Sequence, residues 1–508
     1  MSPRPILLAA LFTAAVAVAQ DRPAEDTLFT DPAQAAQAPA SPDRPAEAAL
    51  FGEAPDAPDA GATRAAAPDG PAKPLSRDEA QFTGSAATNK FYSREEKEDP
   101  LKVGGMLYLR AVGSAAEGNH VSQVGLSAPS LMDGYLDARP SERVRGMVLA
   151  RLQYDPTLVP GASPLPLPAG ATPAANPSIG LDQLWVRFDI ARTVFVTAGK
   201  QHVKWGASRF WNPTDFLTPE RKDPLAPFDA RLGATMLKVH VPWEAKGWNF
   251  YGIGLLDNAG PANTLGKLGG AARAEVVVGS TEVGADAVYV GGRRPRYGVD
   301  LSSALGPIDV YGEVAFRSGA DFQVWTLTHE VDWTNPLSAI GAFESKSLTG
   351  VQAQASGGLN TTVNYTDKNA LTLGVEYFYN PMGVDTRALY PWLLYQNQFQ
   401  PFYLGQHYAA VYALAAGLPG DLTNVTLSFV TIGNLTDRSF LSRLDAFIRV
   451  LSYLSVEAYG SAHYGERGGE FRFALDVPAL NLGPGLSSAA IHVPAPMFEI
   501  GAGLRVSL

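Results

Sequence analysis

The side chains whose types could take part in binding or catalysis are concentrated in one segment, from Lys204 to Arg231. It opens with KWGASRFWNPTDF, which joins two tryptophans to charges of both signs, and further prolines follow. Aromatic rings can fix such a segment against a wall, and proline reduces the entropy that it loses on ordering. Charges held along a narrow aqueous path select solutes. The candidate residues are Lys204, Trp205, Arg209, Trp211, Asp215, Glu220, Arg221, Lys222 and Asp223.

Catalytic and metal-binding patterns do not occur in the sequence. The seven histidines are scattered, and none lies in a G-x-S-x-G or H-E-x-x-H context. The chain has no cysteine, which excludes thiolate nucleophiles, thiolate metal sites and disulfides. Most of the net charge of −10 comes from residues before 101, so nothing indicates nucleic acid binding. We therefore expect neither an enzyme nor a cofactor.

The rest of the chain must position these candidates. From residue 101 onward, apolar and polar residues alternate with a period of two. In ERVRGMVLARLQYD, for example, Val144, Val148 and Leu152 share one face, while Arg145 and Arg151 share the other. Such alternation predicts β-strands with one polar face. The polar faces supply further candidates: Arg143, Arg145, Arg151, Arg187, Glu282, Asp286, Asp300, Asp309 and Glu313.

These charges are divided between two groups of strands. The basic residues fall on the third and fourth predicted strands, and the acidic residues on the ninth to eleventh. Opposed basic and acidic walls would create a transverse field that orients polar solutes. The alternative is that the interior charges simply pair with one another.

Short and long connections alternate between the predicted strands. Short turns on one rim and long loops on the other are typical of a transmembrane antiparallel β-barrel, which leaves no unpaired edge. We predict an all-β barrel of about 18 strands, with 16 as the alternative, over residues 101–508. The count of 18 treats residues 453–476 as one long strand.

Two segments precede the barrel. Residues 1–19 combine Arg4, an apolar run and an Ala17-Val18-Ala19 site, which predicts a secretory signal peptide rather than a buried N-terminal helix. Residues 20–100 are rich in Ala, Pro and acidic residues, which predicts a disordered tail on the periplasmic side.

The tail contains a repeat of the form DRPAExxLF. Its two copies place Leu28, Phe29, Leu50 and Phe51 as a pair of apolar anchors. Two anchors on one tether would suit bivalent docking to a periplasmic protein. The alternative is a duplicated segment of low complexity.

Three motifs carry a resemblance to a known family. GKQ…WG…NPTDF, EYFYNP (376–381) and NLTDRSF (434–440) resemble segments of large porin-like outer-membrane barrels of proteobacteria, related in plan to alginate-export and substrate-specific porins. The resemblance covers roughly residues 100–508. It implies a barrel in the outer membrane of a Gram-negative bacterium, surrounded by lipid, and leaves the substrate open.

The final strand, FEIGAGLRVSL, resembles the C-terminal signal that outer-membrane barrels present to the barrel-assembly machinery. Leu508 replaces the usual terminal aromatic residue.

Two functions remain open at this point. In the first, the chain is a channel for small polar or charged solutes, and its third long loop, residues 205–230, folds inward and narrows the lumen. That loop could instead pack on itself at the outer surface, or it could be catalytic. In the second function, the barrel is a closed anchor within an envelope-spanning machine, such as a gliding or secretion apparatus, and its tail holds a periplasmic partner.

Overall fold

The part of the chain that can be described begins at Pro100. The computed structural model describes residues 100–158, 176–218, 220–226, 229, 231–256, 267–366, 369–419, 422–481, 487–488 and 490–508. The predicted signal peptide, the tail up to residue 99, and Leu28, Phe29, Leu50 and Phe51 lie outside these residues.

Eighteen antiparallel strands, numbered β1–β18 in chain order, form one closed wall. Their bounds are Leu101–Ala116, Ser130–Ser141, Val144–Tyr154, Ser178–Ile190, Val194–Gln201, Ala234–Trp243, Trp248–Leu255, Gly269–Val278, Thr281–Val290, Arg296–Leu305, Ile308–Ser318, Val351–Asn364, Ala370–Tyr379, His407–Leu418, Leu422–Asn434, Ser439–Leu451, Leu454–Gly465 and Pro496–Ser507. Each strand pairs with its neighbours in the chain.

Pairing between β1 and β18 closes the wall. It runs from Met106 opposite Ser507 to Ala116 opposite Pro496. Beyond it, the Leu508 amide donates to the Gly105 carbonyl at 2.8 Å. A short extra strand, Gly125–Ser127, also pairs with the end of β1. The predicted antiparallel barrel of 18 strands is confirmed, and the alternative of 16 strands is wrong.

The two faces of the wall differ as the alternation predicts. Outward positions such as Val299, Leu301, Leu359 and Ile500 expose large apolar side chains, as a lipid-facing surface requires. Exposed aromatic residues gather near both rims, for example Tyr154, Tyr289, Tyr297, Tyr377 and Tyr464 toward the long loops, and Phe188, Trp243, Phe250 and Tyr453 toward the short turns. These are the two aromatic belts of a transmembrane barrel.

The connections alternate in length, with two exceptions. Turns such as 191–193 and 306–307 lie on one rim, and loops such as 202–233 and 319–350 lie on the other. The long-loop rim also carries two short links, 291–295 and 435–438.

Three long loops, 319–350, 380–406 and 466–495, pack together; we call them the loop cap. Their shared apolar core includes Leu389, Tyr390, Phe399, Phe473 and Leu475. Short strands within the loops are Val324–Leu327, Phe343–Lys346, Leu475–Val477, Leu480–Asn481, Ser487–Ser488 and Ile491–Val493. The helical pieces of the described chain are α1 (Tyr390–Tyr395) and 3-10 turns at Val121–Gln123, Pro336–Ala339, Arg387–Leu389 and Glu470–Arg472. No helix among the described residues is long and apolar enough to cross a membrane.

Two predicted boundaries are wrong. The expected long strand 453–476 ends at Gly465, because Phe473 and Leu475 are buried in the loop cap rather than in the wall. Arg143 does not lie on a strand. It occupies the turn before β3, where its guanidinium bonds the Asp189 carboxylate at 2.9 Å.

Candidate functional site

The segment singled out in the sequence belongs to the loop between β5 and β6, which we call loop 3 (residues 202–233). Although β5 and β6 are neighbours, loop 3 makes hydrogen bonds to inward side chains of β11 and β13. Those strands lie well away from β5 around the ring. Loop 3 therefore extends across the interior of the barrel.

The first attachment of loop 3 is Glu313 on β11. Its carboxylate accepts hydrogen bonds from the backbone amides of Ser208, at 3.0 Å, and Thr214, at 3.1 Å. The Asn212 side chain donates to the same carboxylate at 3.2 Å, and so does the Thr214 hydroxyl. Glu313 is 2% exposed with loop 3 in place, and these loop donors satisfy the buried carboxylate.

The second attachment is Glu376 on β13. Three consecutive backbone amides donate to its carboxylate: Arg209 at 2.8 Å, Phe210 at 3.1 Å and Trp211 at 3.0 Å. The Tyr311 hydroxyl donates to it as well, at 3.0 Å. Hydrogen bonds to a charged acceptor are roughly twice as strong as neutral ones, so Glu376 fixes the turn 209–211 in place.

Aromatic packing reinforces both attachments. Trp211 is fully buried, stacks on Phe378 with ring centroids 5.5 Å apart, and donates from its indole nitrogen to the Phe402 carbonyl at 3.0 Å. At the other side of loop 3, Trp205 and Phe216 pack against apolar residues of β6–β9 and β11. The loop is thus held by apolar burial as well as by carboxylates.

The return half of loop 3 is held by ion pairs. The Arg231 guanidinium contacts Asp215 at 2.6 Å and also bonds Asp229. Burial opposes the charge of Arg231, but the two carboxylates raise its pKa above the usual value. Burial likewise opposes ionisation of Asp229, but the hydrogen bond from Arg231 keeps the pKa of Asp229 below its usual value.

The remaining candidates of loop 3 are polar and partly accessible. Lys204, Glu220 and Asp223 are exposed, whereas Arg209, Arg221 and Lys222 are half-buried. The Lys222 ammonium donates to the Arg209 carbonyl at 2.7 Å, which ties the two halves of the loop together.

The basic candidates on the wall have local partners. Arg145 bonds Asp137 at 2.8 Å, and Arg151 bonds Asp133 at 3.0 Å. Arg187 donates to the Thr197 hydroxyl and lies over the Trp185 ring. This arrangement fits the alternative in which interior charges pair with one another.

The acidic candidates are compensated in a similar way. Asp286 and Asp300 share the Arg273 guanidinium, at 3.1 Å and 2.6 Å. Glu313 accepts hydrogen bonds from loop 3, while Glu282 and Asp309 are half-buried at inward positions of β9 and β11. A purely basic wall facing a purely acidic one is not present.

Glu376 was not among the residues singled out from the sequence, although it lies in the EYFYNP motif. The signal was its position on the inward face of an alternating strand, together with Thr372 and Phe378. The NLTDRSF motif also belongs to a buried network: the Asn434 amide donates to Glu470 at 2.7 Å, and Tyr408 bonds the same carboxylate at 2.6 Å. All three motifs therefore meet in the interior, around loop 3 and the base of the loop cap.

No protein-family model matches this chain, and no curated protein does. Solved structures that it resembles include OprB from Pseudomonas putida, with 10% identity and a TM-score of 0.43 over 80% of this chain and 94% of that chain. Acinetobacter baumannii OccAB3 gives 10% identity and a TM-score of 0.47 over 80% and 99% of the two chains. A triple mutant of a Rhodopseudomonas blastica porin gives 9% identity and a TM-score of 0.38 over 80% and 100%. At such identities these likenesses concern barrel architecture alone.

Proposed function

We propose that this chain is an outer-membrane channel for small polar or charged solutes, and that loop 3 narrows its lumen. The observation that carries the proposal is the attachment of loop 3 to Glu313 and Glu376, on strands far from its own. A loop packed on itself at the outer surface would not need these carboxylates.

The chemistry of the interior supports a path for polar solutes. Inward positions carry many charged side chains, and loop 3 adds the exposed Lys204, Glu220 and Asp223. Fixed charges at a narrow point favour solutes that exchange hydration for hydrogen bonds and slow the passage of apolar ones. Loop 3 would therefore act as a selectivity element as well as an obstruction.

The test is single-channel conductance in planar bilayers. The full-length chain would be compared with a variant in which residues 205–230 are replaced by a short Gly/Ser linker. We expect steady conductance from the full-length chain and a larger conductance from the variant. Heat-modifiable gel mobility would verify that both are folded barrels. If neither folded form conducted, a channel would be ruled out. Equal conductance of the two forms would rule out narrowing by loop 3.

A further inference from the structure

The two short links on the long-loop rim carry arginines and no exposed carboxylate. Arg293 and Arg294 are exposed on the β9–β10 link, and Arg438 is exposed on the β15–β16 link. The acidic residue of these links, Asp437, is buried. Such short links cannot rise far above the strands that they join, so the three guanidinium groups stay close to the edge of the wall. We call Arg293, Arg294 and Arg438 the rim arginines.

Arg294 is fixed just above the outer aromatic belt. Its guanidinium donates to the Ser318 carbonyl at 2.8 Å, at the end of β11. Phe316, two positions earlier on β11, is an exposed outward residue, and Tyr289 and Tyr297 are exposed on the strands that the link joins. Two residues of a strand span about 7 Å, which is the height of the Ser318 carbonyl above Phe316 along the strand. Aromatic belts lie at the level of lipid headgroups, so the Arg294 guanidinium lies where headgroup phosphates lie.

The β15–β16 link repeats this arrangement. Arg438 stands two positions before Phe440, an outward residue near the start of β16. The Phe440 ring stacks on the exposed Tyr464 of β17, with ring centroids 5.4 Å apart. Two links that are distant in sequence thus each place an exposed arginine above outward aromatic rings.

The rim arginines are not neutralised by the protein. Within the described part of the chain, none of them forms an ion pair with a carboxylate. The opposite rim differs, because Arg143 there bonds Asp189 at 2.9 Å and the turn 244–247 exposes both Glu244 and Lys246. The short links of the long-loop rim therefore present positive charge alone, which is complementary to an anionic surface.

We propose that the rim arginines bind the phosphate groups of a phosphorylated glycolipid in the outer leaflet around the barrel. A guanidinium holds phosphate through paired, charge-assisted hydrogen bonds. The acyl chains of such a lipid would lie against outward apolar residues below the link, such as Val299 and Leu301 on β10. This inference rests on the outer-membrane location proposed above, and it does not depend on conduction.

The test is native mass spectrometry of the full-length, detergent-refolded chain titrated with bisphosphorylated lipid A as the probe. The double variant Arg293→Gln, Arg294→Gln should weaken one of two lipid sites by about tenfold, because it removes charge-assisted donors. Arg438→Gln should weaken the other site by a similar factor, and the triple variant should weaken both. The matched control is the double variant Arg192→Gln, Lys246→Gln, which removes two exposed charges from the short-turn rim and should bind lipid A as the wild type does.

Two further probes identify what the rim arginines recognise. Lipid A without phosphates should bind the wild type as weakly as bisphosphorylated lipid A binds the triple variant, and inorganic phosphate should not displace lipid A. Heat-modifiable gel mobility would verify that every variant is a folded barrel.

The outcomes separate this inference from the proposed function. It is refuted if the folded triple variant binds lipid A as the wild type does, or if lipid A without phosphates binds equally well. Equal weakening in the short-turn control would also refute it, since binding would then follow overall charge. Displacement by inorganic phosphate would refute a lipid as the occupant. A chain that binds lipid A at these links but does not conduct would refute the channel and leave the inference intact.

Discussion

Replacing Glu376 with glutamine tests how loop 3 is held. Each oxygen of this carboxylate accepts at least two hydrogen bonds from loop 3 or the wall. Glutamine keeps one oxygen and places an amide donor at the other, opposite groups that also donate. About two bonds to a charged acceptor are lost, or about 3–6 kcal/mol.

Part of that loss is offset, because glutamine also removes a buried charge. We therefore expect the attached state of loop 3 to lose about 1–3 kcal/mol relative to a detached state, since a carboxylate is costly to bury. That corresponds to an increase of about 5- to 150-fold in the detached population. Trp211 and Phe216 still pack against the wall, so detachment should be transient.

The assay is single-channel recording of folded Glu376→Gln and wild-type chains. We expect frequent excursions to a higher conductance in the variant. The control is Glu457→Gln, because Glu457 is a lumen carboxylate whose hydrogen bonds run to Tyr108 and Arg505 in the wall. If Glu376→Gln gave the steady conductance and noise of the wild type, the attachment of loop 3 by Glu376 would be refuted.

Three further predictions concern loop 3 and the loop cap. Trp211→Ala should destabilise the attached loop by about 3–5 kcal/mol, and limited proteolysis should then cut within residues 205–226, whereas unchanged resistance would contradict the packing argument. Arg231→Gln removes the guanidinium that contacts both Asp215 and Asp229 and should reduce the yield of folded barrel, while adding Asp215→Asn and Asp229→Asn should restore it; a normal yield from Arg231→Gln alone would refute the pairing. Burial raises the pKa of Glu470 to about 8, so the packed loop cap binds a proton that the opened one releases, and its stability should fall as pH rises from about 4.5 to about 8. Hydrogen exchange of residues 466–477, corrected for intrinsic rates, should show this loss, and Glu470→Gln should abolish the dependence on pH.

The number and order of the strands could be predicted because lipid and lumen impose opposite demands on successive residues. On β3, for example, the residue types alone assign Val144 and Val148 to the lipid face and Arg145 and Arg151 to the lumen face. The same rule failed beyond Gly465, since Phe471, Phe473 and Leu475 alternate as a strand would but are buried beneath or within the loop cap. An alternating pattern shows that every second side chain is buried. It does not show whether those side chains pack in the barrel wall or in the loop cap.

The attachment of loop 3 could not be read from the sequence. Ser208 and Glu313 are 105 positions apart, and Arg209 and Glu376 are 167 positions apart. Local spacing carries no information about such contacts. Glu313 was recognised from the sequence only as an inward charge. The sequence shows which charged residues lie on the polar face, but it does not show which residues pair with them.

The seam between β1 and β18 has a consequence for how the molecule forms. It joins the first and last strands, pairing Met106 with Ser507, so its contacts have very large sequence separation. Contacts of this kind form slowly, because a long stretch of chain must be ordered before they contribute. Until they form, the sheet presents two unpaired edges that invite association with other chains. The protein is therefore most prone to aggregate before the barrel closes. Substitutions along the seam should reduce the yield of folded barrel rather than alter its permeability.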